Sequence, residues 1–272
     1  MMDKSSLRIV KQLTRCSLAI RFIDTYTGKA PNFSGLKLHI ENVIQQPIIK
    51  ADGYVIYTNL SEGQYTCSVR TDYYMPVSMI LNVDNKQPMV LIAMKPNPSY
   101  PLGPAATYIR LAVKDENGRL LDGANITATC TSENYAKAVL SQEVEIGSRE
   151  LMLTHIKGKI TEGDFFLITK RGKVNHCDEY CCISREIDGF RNFMLDKPLQ
   201  SAYPKGAMLL TAVKTQTNGT GEAVIPFRNP LSNSFIVHLT VEWKDYIMVR
   251  EVEVKEAEAT HIGVIHLSKT NV

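Results

Sequence analysis

The chain has 272 residues, of which 44% are hydrophobic and 22% are charged, a composition typical of a folded soluble protein that is long enough for two domains. Its 31 basic and 28 acidic residues give a formal net charge of +3. This balance argues against the basic surface of a nucleic-acid-binding or membrane-surface protein. The six cysteines are too few for a disulfide scaffold.

Residues 1–15 form a predicted N-terminal arm. Its apolar residues Leu7, Ile9, Val10 and Leu13 fit a short helix or an extended segment about equally. The arm lacks the apolar run of a signal peptide, and no segment of the chain reaches the roughly 20 apolar residues that span a bilayer. We therefore expect cytoplasmic synthesis without a signal peptide and no membrane partner.

Residues 16–94 are predicted to form a first β-sandwich. Short apolar runs, several of them strictly alternating, recur with turns about every 8–12 residues, a spacing typical of sandwiches. The predicted strands are residues 18–24, 36–40, 53–57, 64–70, 77–83 and 89–94.

A proline-rich linker is predicted at residues 95–105. Four prolines lie between Lys95 and Pro104, and neither a helix nor a central strand continues through such a segment. We expect a stiff, extended connection here.

After the linker the pattern starts again, and residues 106–133 and 216–272 are predicted to form a second β-sandwich. Residues 108–115 resemble residues 18–24, and Asn117-Gly118 matches the turn at Thr27-Gly28. The remaining parallels are residues 124–129 with 36–41, 218–225 with 52–56, 234–243 with 65–70, and 261–267 with 89–94. Residues 134–215 interrupt the repeat between its second and third strands as an inserted β module.

The repeated units resemble carboxypeptidase-regulatory-like domains, which are seven-stranded β-sandwiches of prealbumin-like topology. The matching residues are Gly53, Asn59, Leu60, Gly63, Tyr65 and Val69 in the first copy and Asp115, Gly118, Leu121, Gly123, Ala124 and Ile126 in the second. The first copy lacks the Gly-Ala pair and shows one predicted strand fewer than that family. These are turn and core positions, so the resemblance implies an all-β, immunoglobulin-like fold and no particular activity.

The inserted module resembles small all-β modules of bacteriophage tail and baseplate-associated proteins and of related contractile injection particles. The matching residues are Gly163, Asp164, Glu179, Ile183, Pro198, Leu199, Tyr203, Pro204, Gly206 and Ala207. The resemblance implies a role in such a particle.

The segment HCDEYCCIS, residues 176–184, could be a metal site, a redox site or a strand. On a strand, Cys177 and Cys181 share a face with Cα atoms about 13 Å apart, too far for one zinc ion or a disulfide. Cys181 and Cys182 are adjacent and point to opposite faces. The strand is the favoured interpretation, with no metal and no cofactor.

Four aromatic residues are the candidate binding residues of the chain. Tyr73 and Tyr74, and Trp243 and Tyr246, lie at predicted strand ends of the two sandwiches, where aromatic rings can bind a sugar or a protein partner. The alternative for each is packing in the sandwich core or at its edge.

The sequence contains no G-x-S-x-G, H-E-x-x-H or phosphate-binding glycine loop. It favours a non-enzymatic structural or adaptor component of a phage tail or contractile particle, a virion component released by lysis. Its expected partners are other protein subunits, including further copies of this chain. The alternative is a β-sandwich module that binds a carbohydrate or another surface ligand.

Overall fold

The computed structural model describes residues 16–84, 89–131, 136–170, 178–189, 191–228 and 233–268, and the predicted N-terminal arm lies outside these ranges. The described residues form nineteen β-strands and no helix. The prediction of an all-β fold is therefore confirmed for this part of the chain.

Seven strands form the first sandwich: β1 (Cys16–Asp24), β2 (Lys37–Ile40), β3 (Ile48–Ile49), β4 (Tyr54–Thr58), β5 (Gly63–Arg70), β6 (Val77–Val83) and β7 (Met89–Met94). One sheet has the order β3-β4-β1-β7 and the other the order β2-β5-β6. Both sheets contribute to one hydrophobic core, so they pack face to face.

Alternation along the strands places this core. In β1, Leu18, Ile20 and Phe22 are at most 1% exposed because every second side chain of a strand faces the same side. The six predicted strands are confirmed to within two residues, and β3 is the addition. Its two residues are exposed, and so short a segment leaves no alternation to detect.

Residues 95–105 contain no strand, as predicted, but they do not stand away from the first sandwich. The Met75 N–H donates to the Lys95 carbonyl at 2.8 Å, and the Asn97 N–H donates to the Tyr73 carbonyl at 2.9 Å. The segment is therefore bound to the sandwich that precedes it.

Six strands form the second sandwich: β8 (Thr107–Lys114), β9 (Asn125–Cys130), β16 (Glu222–Phe227), β17 (Ser234–Trp243), β18 (Tyr246–Lys255) and β19 (Ala259–His266). β8 pairs antiparallel with β16 and parallel with β19, as β1 pairs antiparallel with β4 and parallel with β7. The order β9-β17-β18 repeats β2-β5-β6, and residues of both sheets form one core.

The remaining six strands form a closed ring, here called the barrel: β10 (Ala136–Leu140), β11 (Glu150–Thr154), β12 (Phe165–Thr169), β13 (Glu179–Glu186), β14 (Asn192–Leu195) and β15 (Met208–Gln216). The order is β10-β11-β14-β13-β12-β15, and β15 pairs back to β10. Every neighbouring pair is antiparallel. The inserted β module thus lies between β9 and β16 and encloses a core of its own.

β15 belongs to the barrel and to the second sandwich. Its first half, from Met208 to Ala212, pairs with β12, and its second half, from Ala212 to Gln216, pairs with β9. One sheet of nine strands therefore runs from the barrel into the second sandwich. That these units are separate domains with the predicted bounds, and that the sandwiches are copies of one prealbumin-like domain, stay predictions.

The first strand of each sandwich ends in a similar turn. The Asp24 carboxylate accepts a hydrogen bond from the Tyr26 N–H, and the Asp115 carboxylate accepts one from the Asn117 N–H. Gly28 and Gly118 follow with φ of +68° and +76°, a conformation in which a side chain is strained. The predicted parallel between Thr27-Gly28 and Asn117-Gly118 is confirmed.

Candidate functional site

Tyr74 is 2% exposed and lies in the core of the first sandwich. Its hydroxyl group donates to the buried Asp24 carboxylate at 3.2 Å and accepts from the Asn32 N–H at 3.2 Å. Burial raises the pKa of this hydroxyl, and the Asp24 charge adds to the effect. The ring offers no face to a ligand, so the packing interpretation applies to Tyr74.

Tyr74 belongs to a buried polar cluster centred on Asp24, which was not predicted from the sequence. The Tyr100 hydroxyl donates to Asp24 Oδ2 at 2.6 Å, and the Tyr100 ring packs edge-on against Tyr74 and Tyr26. Burial raises the pKa of Tyr100, with further contributions from its hydrogen bond to Asp24 and from that residue's charge. This cluster attaches the proline-rich segment to the turn after β1. Tyrosine within a proline-rich stretch was the available signal.

Trp243 and Tyr246 flank the tight turn between β17 and β18. Their ring centroids are 6.1 Å apart, and the Lys244 ammonium lies 4.1 Å from the Trp243 ring centroid. Both rings are partly buried and pack against the core of the second sandwich. A ligand-binding role for Trp243, Tyr246 and the partly exposed Tyr73 stays a prediction.

The cysteine-rich segment is a strand where the structure describes it. Cys181 and Ile183 lie in the barrel core, and Cys182 between them faces outward. Burial raises the pKa of the Cys182 thiol to about 12, helped by the negative charges of Asp196 and Asp164. The thiol is therefore protonated at neutral pH. His176 and Cys177 lie outside the described residues.

Two further observations concern the described residues alone. Within these ranges, no three His, Cys, Asp or Glu side chains lie close enough to share a metal ion. The same part of the chain contains no helix with the length and apolar character needed to cross a membrane.

The first sandwich, the barrel and the second sandwich meet at a set of charged contacts, here called the junction. Arg228, just after β16, donates to both carboxylate oxygens of Asp164 in the barrel at 2.5 and 2.6 Å and to Thr161 Oγ1 at 2.9 Å. Arg21 of β1 donates to the Glu162 carboxylate. The first pair is largely buried, with side-chain exposures of 19% and 13%.

Two glycines of the junction lie close to side chains of the other units. A Cβ atom on Gly28 would lie 2.3 Å from Arg228 Nη1, and one on Gly163 would lie 3.2 Å from Ile23 Cγ2. Both glycines have positive φ. The backbone conformation therefore favours glycine at both positions, and at Gly28 a side chain would also displace the Arg228 guanidinium.

Two edge strands of the described sheets expose apolar side chains. β18 is the outer strand of the nine-stranded sheet, and no described strand pairs with its far side. Ile247 and Val249 on it are 55% and 62% exposed. β3 is likewise an edge strand, with Ile48 and Ile49 more than half exposed and Ile44 in the preceding loop 96% exposed. Unpaired edges with apolar side chains are templates for association.

Comparison with known proteins gives no family. No family model matches the chain, and no curated protein matches it. Three of the solved structures that it resembles are pilins. The shaft pilin SpaA of Lactobacillus rhamnosus GG has 10% identity, a TM-score of 0.27, and coverage of 96% of this chain and 99% of that chain.

The other two pilins are GBS52, the minor pilin of Streptococcus agalactiae, and BcpA, the major pilin subunit of Bacillus cereus. GBS52 has 9% identity and a TM-score of 0.22, covering 94% of this chain and 96% of that chain. BcpA has 10% identity and a TM-score of 0.24, covering 92% of this chain and 70% of that chain. At such scores the strands do not superpose as a whole, so these similarities define neither the fold nor the function.

Proposed function

We propose that the protein is a non-enzymatic structural or adaptor subunit of a phage tail or a contractile phage-tail-like particle. It works through contacts with other protein subunits, including copies of itself. The observation that carries the proposal is the β18 edge, beyond which no described strand lies and on which Val249 is 62% exposed. The tail-protein resemblance of the inserted segment supplies the setting.

The β18 edge has the properties of an association surface. It is ten residues long, longer than most edge strands that a soluble protein leaves unprotected. Ile247 and Val249 lie on its outward face, while Val252 and Val254 anchor the other face in the core. A strand from a partner could therefore add to a rigid sheet with main-chain hydrogen bonds.

The two sandwiches are proposed to be tandem copies of a prealbumin-like domain, with the barrel as an insertion in the second. The repeated strand order supports this. On this proposal the chain is made in the cytoplasm without a signal peptide, is incorporated as a virion component and leaves the cell by lysis.

The test is binding to particle components. The purified protein is mixed with sheath, tube and baseplate proteins encoded beside it and examined by sedimentation velocity, with Ile247→Lys/Val249→Lys as the edge variant. We expect co-sedimentation that the variant weakens at least tenfold, because two lysines on an edge disfavour strand addition. The control is Ile146→Lys, whose site is 70% exposed and lies in a barrel loop. A protein that stays monomeric and binds none of these components contradicts the proposal.

A further inference from the structure

A cavity of about 250 Å³ lies at the junction. Tyr26 and Lys95 border it from the first sandwich and the segment that follows, and Lys137 and Phe165 border it from the barrel. Pro226 and Arg228 close it from the second sandwich. The cavity therefore exists only where all three units meet.

Positive charge exceeds negative charge in the lining. Lys95, Lys137, Lys214 and Arg228 border the cavity with a single carboxylate, that of Asp164. Asp164 is bound by both oxygens to Arg228. Within the described part of the chain none of the three lysines forms an ion pair. Among the described residues, these three ammonium groups thus have no bound counter-charge.

One polar group of the lining is deeply buried and has no partner among the described residues. Thr215 is 4% exposed, and its hydroxyl lies without a hydrogen-bond partner in this part of the chain. Lys137 is also a buried residue, at 6% exposure. Buried polar groups are nearly always paired, so an unpaired hydroxyl on the wall of a cavity indicates a missing partner.

Burial is costly for these lysines. Burial lowers the pKa of Lys137, and Arg228 adds to the decrease against the opposing charge of Asp164. Burial also lowers the pKa of Lys95, with Lys214 adding repulsion. An anion in the cavity would oppose both effects, since a nearby negative charge favours the protonated amine.

Much of the remaining wall is apolar. Phe165, Phe166, Ala212, Val213 and Val224 border the cavity together with Pro226. Such a wall favours a ligand that carries an apolar body beside its charged group, because a few polar groups in an apolar pocket orient a small molecule.

We propose that the junction cavity binds a small organic carboxylate. The carboxylate group accepts a hydrogen bond from the Thr215 hydroxyl and is attracted by the ammonium groups that border the cavity, and the apolar body lies along Phe165 and its neighbours. The ligand would join the three units, and this binding is independent of association at β18.

The experiment uses the full chain and three probes of matched size or charge. Sodium benzoate supplies the carboxylate and an apolar ring, benzamide supplies the ring without the charge, and inorganic phosphate supplies the charge without the ring. Each is titrated by calorimetry and by thermal shift. We expect benzoate to bind with a Kd of about 1 mM or tighter and to raise the melting temperature.

Variants assign the site. Lys137→Met and Lys95→Met remove the charge and leave an unbranched side chain that is one atom shorter. Each should weaken benzoate binding at least tenfold, the order expected when a charged partner of the carboxylate is lost. Lys205→Met, at an exposed lysine of the barrel, should bind benzoate as the unmodified protein does. Lys95 is only partly buried, so its variant also tests the site should Lys137→Met fail to fold.

Three results would overturn the proposal. One is the absence of benzoate binding at about 20 mM, a concentration at which even weak ligands of this size saturate a site. Another is benzoate affinity unchanged in both lysine variants. The third is equal binding of benzoate and benzamide, because a ligand held by the lysines must carry the charge.

Discussion

β2 and β9 occupy the same position in the two sandwiches, yet one is an edge strand and the other an interior strand. β2 pairs only with β5 in its sheet, whereas β9 lies between β17 and β15. One of the four residues of β2 is buried, and four of the six residues of β9 are buried. The insertion therefore protects a sheet edge that the first sandwich protects by shortness and by charged Lys37.

The connection between β5 and β6 also differs from the matching connection between β17 and β18. In the second sandwich, β17 and β18 are joined by the two-residue turn Lys244-Asp245, in which Lys244 has φ of +52°. In the first sandwich the longer loop from Thr71 to Pro76 binds the proline-rich segment. The matching strands are thus joined in the first sandwich by a loop that binds the proline-rich segment, and in the second by a tight turn.

The largest expected effect tests the contrast between β2 and β9. Thr127 of β9 pairs with Lys214 on one side and Thr240 on the other, so Thr127→Pro must remove an interior hydrogen bond. Compared with Thr127→Ala, it should lower the free energy of unfolding of the second sandwich by about 3 kcal/mol or more.

The matched change in β2 is Leu38→Pro, compared with Leu38→Ala. The Glu41 N–H donates to the Thr66 carbonyl, and the alternation of an antiparallel pair then directs the Leu38 N–H to the free edge. The free energies of unfolding of Leu38→Pro and Leu38→Ala should therefore differ by less than about 1 kcal/mol. Hydrogen-exchange mass spectrometry of peptides from each sandwich measures both, and equal losses would contradict the contrast.

An effect of intermediate size is expected for the stability of serine variants on the two faces of β13. Cys181→Ser places a hydroxyl in the barrel core and should destabilise the barrel by about 2 kcal/mol. Cys182→Ser, on the outer face, should cost less than about 1 kcal/mol. Scanning calorimetry measures the two variants, and a larger loss for Cys182→Ser would mean that the faces are assigned the wrong way round.

The smallest expected effect concerns Lys137, a buried charge that the barrel brings to the junction. A lowered folded-state pKa means that the unfolded chain binds more protons between that pKa and about 10.4. Stability should therefore rise as the pH increases through this interval. Lys137→Met should raise the stability at pH 7 by about 1 kcal/mol.

Thermal unfolding between pH 7 and 10 without added anions, followed by circular dichroism, checks this prediction. The slope of the unfolding temperature against pH should decrease in Lys137→Met and stay unchanged in Lys205→Met. The groups whose charges act on Lys137 are Asp164 and Arg228. An unchanged slope in Lys137→Met would assign the pH dependence to other groups.

The alternative function, binding of a carbohydrate or other surface ligand, depends on Trp243, Tyr246 and Tyr73. Lys244 lies over one face of the Trp243 ring, and the core contacts that ring as well. Little of the ring is therefore left to stack on a sugar. This alternative requires that the unmodified protein bind sugars on a glycan array and that Trp243→Ala lose this binding.

The sequence by itself determined most strands of the two sandwiches and which of their side chains face the cores. Alternation in segments such as Leu18 to Ile23 dictates which side chains are buried, because a strand presents successive residues to opposite faces. The turn chemistry of Asp24 to Gly28 and of Asp115 to Gly118 is equally local. The outward direction of Cys182 also followed from the pleat alone.

Only the tertiary structure decided that the inserted module closes into a barrel, that β15 continues into the second sandwich, and that three lysines collect at the junction. Each depends on pairing or contact between residues far apart in the chain, such as Ala136 with Leu210 and Arg21 with Glu162. Local side-chain patterns specify which face of a strand is buried but not which strand lies beside it. The reason is that sheets with different strand orders can have the same alternation of buried and exposed residues.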